Sequence, residues 1–295
     1  MQPENLSKAD IRTAATGTIW NDATVQVRGG AAVGVRVYRP AVVAPTTPAV
    51  LHLHSGSFFA GSLDNGRTVA TLLAEAGAVV TSVDYPLAPE HRFPRALDTA
   101  YAVLSSIAGG KAAWVGKKAP LYVAGEEAGG NLAAALALIA RDQRSPVLSG
   151  QILLSPMLDP CLATRSVRQA KAGPAGCQWA DGWHQYLGSA TRAAHPYASP
   201  IGSSRLLGVA PALLVTAEDD LLRDETLSYA RKLRDSGVTV RQHLLQEPTG
   251  WPCALYYGVG QDAPWRNTLR DCFTTFFADT ATGTASASHR QPVGA

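Results

Sequence analysis

The residues that could do chemistry gather in one short stretch, Gly125-Glu126-Glu127-Ala128-Gly129-Gly130-Asn131. An apolar run, Leu121-Tyr122-Val123-Ala124, precedes it and suits a buried strand, and an Ala/Leu-rich run of helical composition follows to about Arg141. Strand therefore turns sharply into helix, with glycines on both sides of one central residue. Such an elbow thrusts the central side chain out above a sheet, where a nucleophile would stand. The central residue is Glu127, a carboxylate. An acidic cluster, Glu218-Asp219-Asp220, lies just after another apolar run, Ala212-Leu213-Leu214-Val215-Thr216.

The elements needed to position these groups can be read from the rest of the chain. Thr24 to Arg28 and Val33 to Tyr38 flank Gly29-Gly30 as an antiparallel hairpin. Ala49 to His54 is a buried strand running into the loop Ser55-Gly56-Ser57-Phe58-Phe59-Ala60-Gly61, and a helix is expected from about Arg67 to Ala76, with Asp64 and Asn65 as caps. Ala78 to Asp84 is the next strand, and a helix from about Arg95 to Ile107 follows a proline-rich loop. Beyond the elbow, strands are expected at Gly150 to Leu154, Ala212 to Thr216 and Val238 to Arg241, and helices at about Leu222 to Asp235 and Trp265 to Phe277. This alternation predicts a mostly parallel α/β sheet with helices on both faces. Residues 159–207 interrupt it with a helix near Trp179 to Leu187 and read as a small helical lid. The division that follows is an N-terminal lid segment 1–22, a main domain 23–278 carrying that insertion, and a tail 279–295 whose Ala/Thr/Ser/Gly composition predicts disorder.

Composition limits the function classes. At 295 residues and 46% hydrophobic the chain can bury a large core, and a net charge of +3 with scattered basic residues argues against nucleic acid. The four cysteines, Cys161, Cys177, Cys253 and Cys272, follow no Cys-x-x-Cys spacing, so no metal site, no cofactor and no disulfide framework is expected. Neither a basic start with an apolar core nor a membrane-length apolar run is present, which predicts a chain that is cytoplasmic and makes no membrane contact.

Several motifs in order resemble the hormone-sensitive-lipase-like branch of the α/β-hydrolases, the acetyl esterases and carboxylesterases. Asp84-Tyr85-Pro86-Leu87-Ala88-Pro89-Glu90-His91-Arg92-Phe93-Pro94 resembles the family segment DYRLAPEHPFP, and Gly125 to Ala133 resembles GDSAGGNLA. His195-Pro196-Tyr197-Ala198-Ser199-Pro200 resembles DPYASP, and Thr216 to Glu225 resembles TAxxDPLRDE. The resemblance implies an eight-stranded, mostly parallel sheet with a helical lid. It also implies a serine, histidine and aspartate triad and an oxyanion loop.

The departures fall on that chemistry. Glu127 fills the serine position, Asp220 the aspartate position, and Thr249, before Gly250-Trp251, the histidine position. Threonine cannot act as a base, and His243 reads as a strand residue. The oxyanion loop His-Gly-Gly-Gly is here His54-Ser55-Gly56-Ser57, with Ala128 as a third donor, and serine resists positive φ. Losing one such donor costs about 3–4 kcal/mol of barrier.

Three readings stay open. The first is a hydrolase fold that has lost catalysis and binds a small acyl-like or ester-like ligand, or a protein, in a pocket walled by Phe58, Phe59, Trp251 and the lid. The second is a non-hydrolytic enzyme (elimination, isomerisation or cyclisation) using Glu127 and Asp220, which, if the fold places both at the missing imidazole with no cation between them, share a proton and act as general acid and base. The third is an ester hydrolase of unusual mechanism. A homodimer through the last strand and helix is compatible with the resemblance. Glu126 is expected to brace loops, and Trp179, Trp183 and Tyr186, at spacings of four and three, to form the packed face of a helix.

Overall fold

The computed structural model describes residues 12–13, 18–110, 112–169, 173–246, 248–260 and 262–287. Its strands are β1 (Arg12–Thr13), β2 (Ile19–Gln26), β3 (Ala32–Arg39), β4 (Ala49–Leu53), β5 (Val79–Val83), β6 (Leu121–Glu126), β7 (Gly150–Leu154), β8 (Ala212–Ala217) and β9 (Val240–Leu245). They form one sheet in the order β1-β2-β3-β5-β4-β6-β7-β8-β9. The first pairs, through β3 with β5, are antiparallel, and every pair from β5 across to β9 is parallel. The two-residue β1 extends the sheet one strand beyond the expected eight.

Helices cover both faces. α1 (Arg67–Glu75) and α8 (Trp265–Ala287) lie on one side, and α2 (Arg95–Ala108), α3 (Ala128–Gln143) and α6 (Arg223–Asp235) on the other. The strands of the centre are apolar on both faces because both are covered. In β6, Leu121 and Val123 enter one core while Tyr122 and Ala124 enter the other, and β8 divides Ala212 and Leu214 from Leu213 and Val215 in the same way.

Some expectations are corrected. The first hairpin strand begins at Ile19, inside the segment assigned to 1–22, because Trp20 and Asn21 continue the pairing with Tyr38 and Val37. Asp64 and Asn65 do not cap α1, whose N-cap is Gly66 without a side-chain bond. Asp64 instead binds Arg36 at 2.6 Å. Helix α8 runs on to Ala287, past the composition break near 279, with Tyr122 Oη and Thr280 Oγ1 hydrogen-bonded at 2.7 Å. Residues 288–295 and most of 1–17 lie outside the described residues.

The segment between β7 and β8 carries α4 (Arg165–Gln169), α5 (Gly173–Leu187) and two 3-10 turns, Ala190–Ala194 and Pro200–Gly202. The remaining short helix, α7 (Cys253–Tyr257), follows β9. Buried Glu225 in α6 pins the start of the lid segment by accepting from Leu158 N at 2.9 Å and Asp159 N at 2.6 Å. Ser166 secures the next turn, donating from Oγ to Leu221 O at 2.7 Å. No helix of the described residues is long and apolar enough to cross a membrane.

Candidate functional site at the strand-to-helix elbow

The elbow keeps its strained geometry with a glutamate in it. Glu127 sits at φ 51°, ψ −115°, a conformation that costs a non-glycine residue about 1–3 kcal/mol. Surrounding bonds hold it there: Glu127 N donates to Leu154 O at 3.1 Å and Glu127 O accepts from Met157 N at 2.9 Å. The turn is tight enough to need Gly129, where a Cβ would stand 2.0 Å from Leu53 O of β4.

The carboxylate folds back into the oxyanion loop. Glu127 Oε2 accepts from Gly56 N at 2.6 Å and Ser57 N at 2.9 Å, with Ala128 N farther off at 3.4 Å. Oε1 accepts from Ser57 Oγ at 2.8 Å and from Trp179 Nε1 at 2.7 Å. The five donors are those expected of an oxyanion hole, plus one hydroxyl and one indole, and they saturate the lone pairs of the carboxylate. The serine in the loop does not distort the hole: Ser57 adopts φ 51° and its N–H still converges with that of Gly56.

Lid helix α5 seals this arrangement. Its Gly182 passes so close to the loop that a Cβ there would lie 2.2 Å from Ser57 O. Trp183 and Tyr186 form the packed face expected of them, with Tyr186 stacked on Phe58 at 4.0 Å between ring centroids. Trp179 departs from that reading, because its ring is buried but its N–H serves the site. Spacing alone could not tell which indole would meet the elbow.

The loop's two histidines are structural. His52 Nε2 pairs with Glu126 Oε2 at 2.8 Å and His52 Nδ1 with Ser82 Oγ at 3.0 Å, all fully buried. Glu126 Oε1 also accepts from Ser55 N at 3.3 Å, so it braces the loop as expected. His54 stacks on Tyr85 at 4.3 Å and donates from Nδ1 to Ser55 O at 2.7 Å. Burial lowers its pKa to about 4, leaving it neutral. His243 lies in β9 opposite Val215, as a sheet residue.

The other two triad positions do not join Glu127. Asp220 accepts from Leu222 N at 2.8 Å and from Thr216 Oγ1, and burial, opposed by the Thr216 bond, raises its carboxyl above the ordinary range. Thr249 turns to Asp219 instead: its N and Oγ1 donate to that carboxylate at 2.7 and 2.9 Å, and Gly250 N adds a third bond at 2.8 Å. Among the described residues no hydrogen bond links Glu127 with Asp220, so the shared-proton pair expected from sequence is not formed. Each carboxylate is satisfied by its own donors.

A cavity of about 40 Å³ lies beside Glu127, lined by Trp179, Pro252, Cys253, Tyr256 and Tyr257 with Gly56 and Gln178. The lid supplies Gln178 and Trp179 as expected, but Phe58, Phe59 and Trp251 are not among the lining residues. Phe58 is buried under the lid and Trp251 is packed edge-on against Trp265, so neither lines it. Cys253 and the two tyrosines were missed because they follow the last strand on α7, whose docking only the tertiary fold specifies. Among the described residues no cluster of metal-ligating groups occurs.

The sequence comparisons agree with this geometry. Residues 50–249 match the family described as alpha/beta hydrolase fold. The chain belongs to that family. Within it, the carboxylesterase branch supplies the relatives. Carboxylesterase NlhH of Mycobacterium tuberculosis is 36% identical over 235 residues, covering 77% of this chain and 72% of that protein. An esterase of Acinetobacter venetianus is 33% identical over 263 residues, covering 80% and 83%. Among solved structures, a thermostable esterase from Pseudomonas putida ECU1011 superposes with a TM-score of 0.80 at 32% identity, covering 91% of this chain and 85% of that one. The chain is a carboxylesterase-type α/β-hydrolase.

Proposed function

We propose that this carboxylesterase-type protein has lost ester hydrolysis and acts as a small-molecule binding protein, with Glu127 as a built-in occupant of the oxyanion hole. The observation that carries the reading is the pair of bonds from Gly56 N and Ser57 N to Glu127 Oε2 at 2.6 and 2.9 Å. An ester needs those donors free to stabilise the charge on its carbonyl oxygen in the transition state. Here a permanent carboxylate takes them. A base is missing as well, since Thr249 Oγ1 donates to Asp219 and accepts from Trp251 N at 3.0 Å. An acyl-like ligand would first have to displace Glu127. The free thiols Cys161, Cys253 and Cys272 suit a reducing compartment such as the cytoplasm.

Hydrolysis of an aryl acetate tests the reading. The parent and Glu127→Ala should show no turnover above background, and Glu127→Ser with Thr249→His should gain some. Parent turnover that disappears in Glu127→Ala would overturn it.

One contact favours a second reading. Ser57 Oγ donates to Glu127 Oε1 at 2.8 Å, which is nucleophile-to-base distance. Against it, Ser57 has no exposed surface and its partner carboxylate fills the hole. Parent turnover abolished by Ser57→Ala would establish that relocated nucleophile.

A further inference from the structure

The substitution at the elbow inverts the polarity of the pocket. In an ester-hydrolysing site, backbone N–H groups face the ligand and seek a carbonyl oxygen. Here those donors point at Glu127, and the ligand side presents the carboxylate itself with the aromatic residues Trp179, Tyr256 and Tyr257. Among the described residues no cationic side chain pairs with Glu127, and none pairs with Asp220, whose charge also reaches Cys253 on the cavity wall. Neighbouring groups register this charge: burial first and Glu127 second push the Cys253 thiol and Tyr85 up, and burial, then Tyr257, then Glu127 raise Tyr256.

The geometry points to a small alkylammonium head as the ligand of this cavity, held by the Glu127 carboxylate beside the aromatic side chains of Trp179, Tyr256 and Tyr257. Three physical arguments carry it. The lone pairs of Glu127 are already used by five donors, so a neutral hydroxyl or amide gains little there. A cation still feels the net charge, whose field does not depend on a free lone pair and is strong in a poorly solvated site. The aromatic wall adds cation–π attraction wherever a ring face meets the head. Size agrees, since a cavity of about 40 Å³ exceeds the roughly 10–15 Å³ that one water needs and leaves room for a small head. The alkyl chain would leave past Tyr257, which is 69% exposed. A carboxylate or ester meets the opposite conditions, like charge and no free donor.

This assignment rests on the reading of Glu127 as a fixed occupant, and calorimetric titration tests it separately. Butylammonium chloride, sodium butyrate, 1-butanol and ethyl acetate are titrated into the full chain, and aryl acetate turnover is measured on the same preparation. Butylammonium should bind at least tenfold more tightly than each of the other three. Tyr257→Ala, on an exposed wall where folding is not at risk, should weaken it about fivefold, and Glu127→Gln at least tenfold when titrated well below its thermal midpoint, which should fall because the amide NH2 meets donors. Absence of binding, or butyrate, butanol or ethyl acetate binding as well as butylammonium, overturns the ammonium assignment while leaving the loss of hydrolysis standing. Glu127-dependent turnover overturns the fixed-occupant reading instead, whatever binds.

Discussion

Trp179 Nε1 donates to Glu127 Oε1 at 2.7 Å, so the lid helix and the elbow close on each other through one charge-assisted bond. Bonds of an N–H to a charged acceptor contribute about 1.5–3 kcal/mol when buried. Trp179→Phe keeps most of the packing and removes the donor. We expect a loss of about 2 kcal/mol in local lid stability and roughly tenfold or faster amide exchange in α5. Hydrogen-exchange mass spectrometry reads this directly, and unchanged exchange would show that packing alone holds the lid.

The pair His52–Glu126 is buried without exposed surface on either partner. Removing one member leaves the other's buried polar group unmet and costs about 1–3 kcal/mol. Glu126→Ala should therefore shift the urea midpoint strongly downward, and His52→Ala should match it. A loss below about 1 kcal/mol in both would mean that water replaces the missing partner.

Asp219, not the triad aspartate Asp220, organises the loop after β9. Its carboxylate receives bonds from Thr249 N, Thr249 Oγ1 and Gly250 N. Asp219→Ala hands those donors largely to water, since Asp219 and Gly250 are exposed, and a loss of about 1 kcal/mol is expected. Asp219→Asn should retain part of it, because an amide oxygen still accepts. Denaturant unfolding of the two variants side by side separates this role from generic surface loss.

Stability should depend on pH through His54. Its folded pKa, about 4, lies below the ordinary 6.5. The unfolded chain therefore takes up the proton first as pH falls. The neutral ring's contribution is fully present above about 6.5 and lost progressively down to about 4, a span worth about 3 kcal/mol. Buried Glu225, raised by desolvation, contributes with the opposite sign, so the comparison must hold it constant. His54→Asn retains an N–H for Ser55 O, and its unfolding free energy should vary less than the parent's between pH 7 and 4.5. Identical pH profiles would remove His54 as the cause.

What the sequence alone determined is everything that depends on local pattern. The continuous apolar runs of β4 to β8, the Gly-flanked turn at Glu127 and the helical runs of α1, α2, α3 and α6 come from spacing and composition, and they suffice for the fold and for locating the elbow. That Glu127 and Thr249 stand where the resembling motifs place a serine and a histidine is likewise visible in residue types. The end of α8 was misread because Ala and Thr composition says little about whether a helix finds a partner, and the packing of Phe273, Phe276 and Phe277 under the sheet carries the helix onward.

The direction of each side chain was decided only by the tertiary structure. Sequence places Glu127 beside Asp220 and Thr249 by analogy; the fold sends Glu127 into the loop, Asp220 to Thr216 and Leu222, and gives Thr249 to Asp219. Buried polar groups take whichever donors lie within about 3 Å, and those donors come from segments distant in the chain. Gly56 and Ser57 stand about seventy residues before Glu127 and Trp179 fifty-two after it. No spacing rule reaches across such separations, so the plugged hole and the aromatic wall beside it became visible only when the chain was folded.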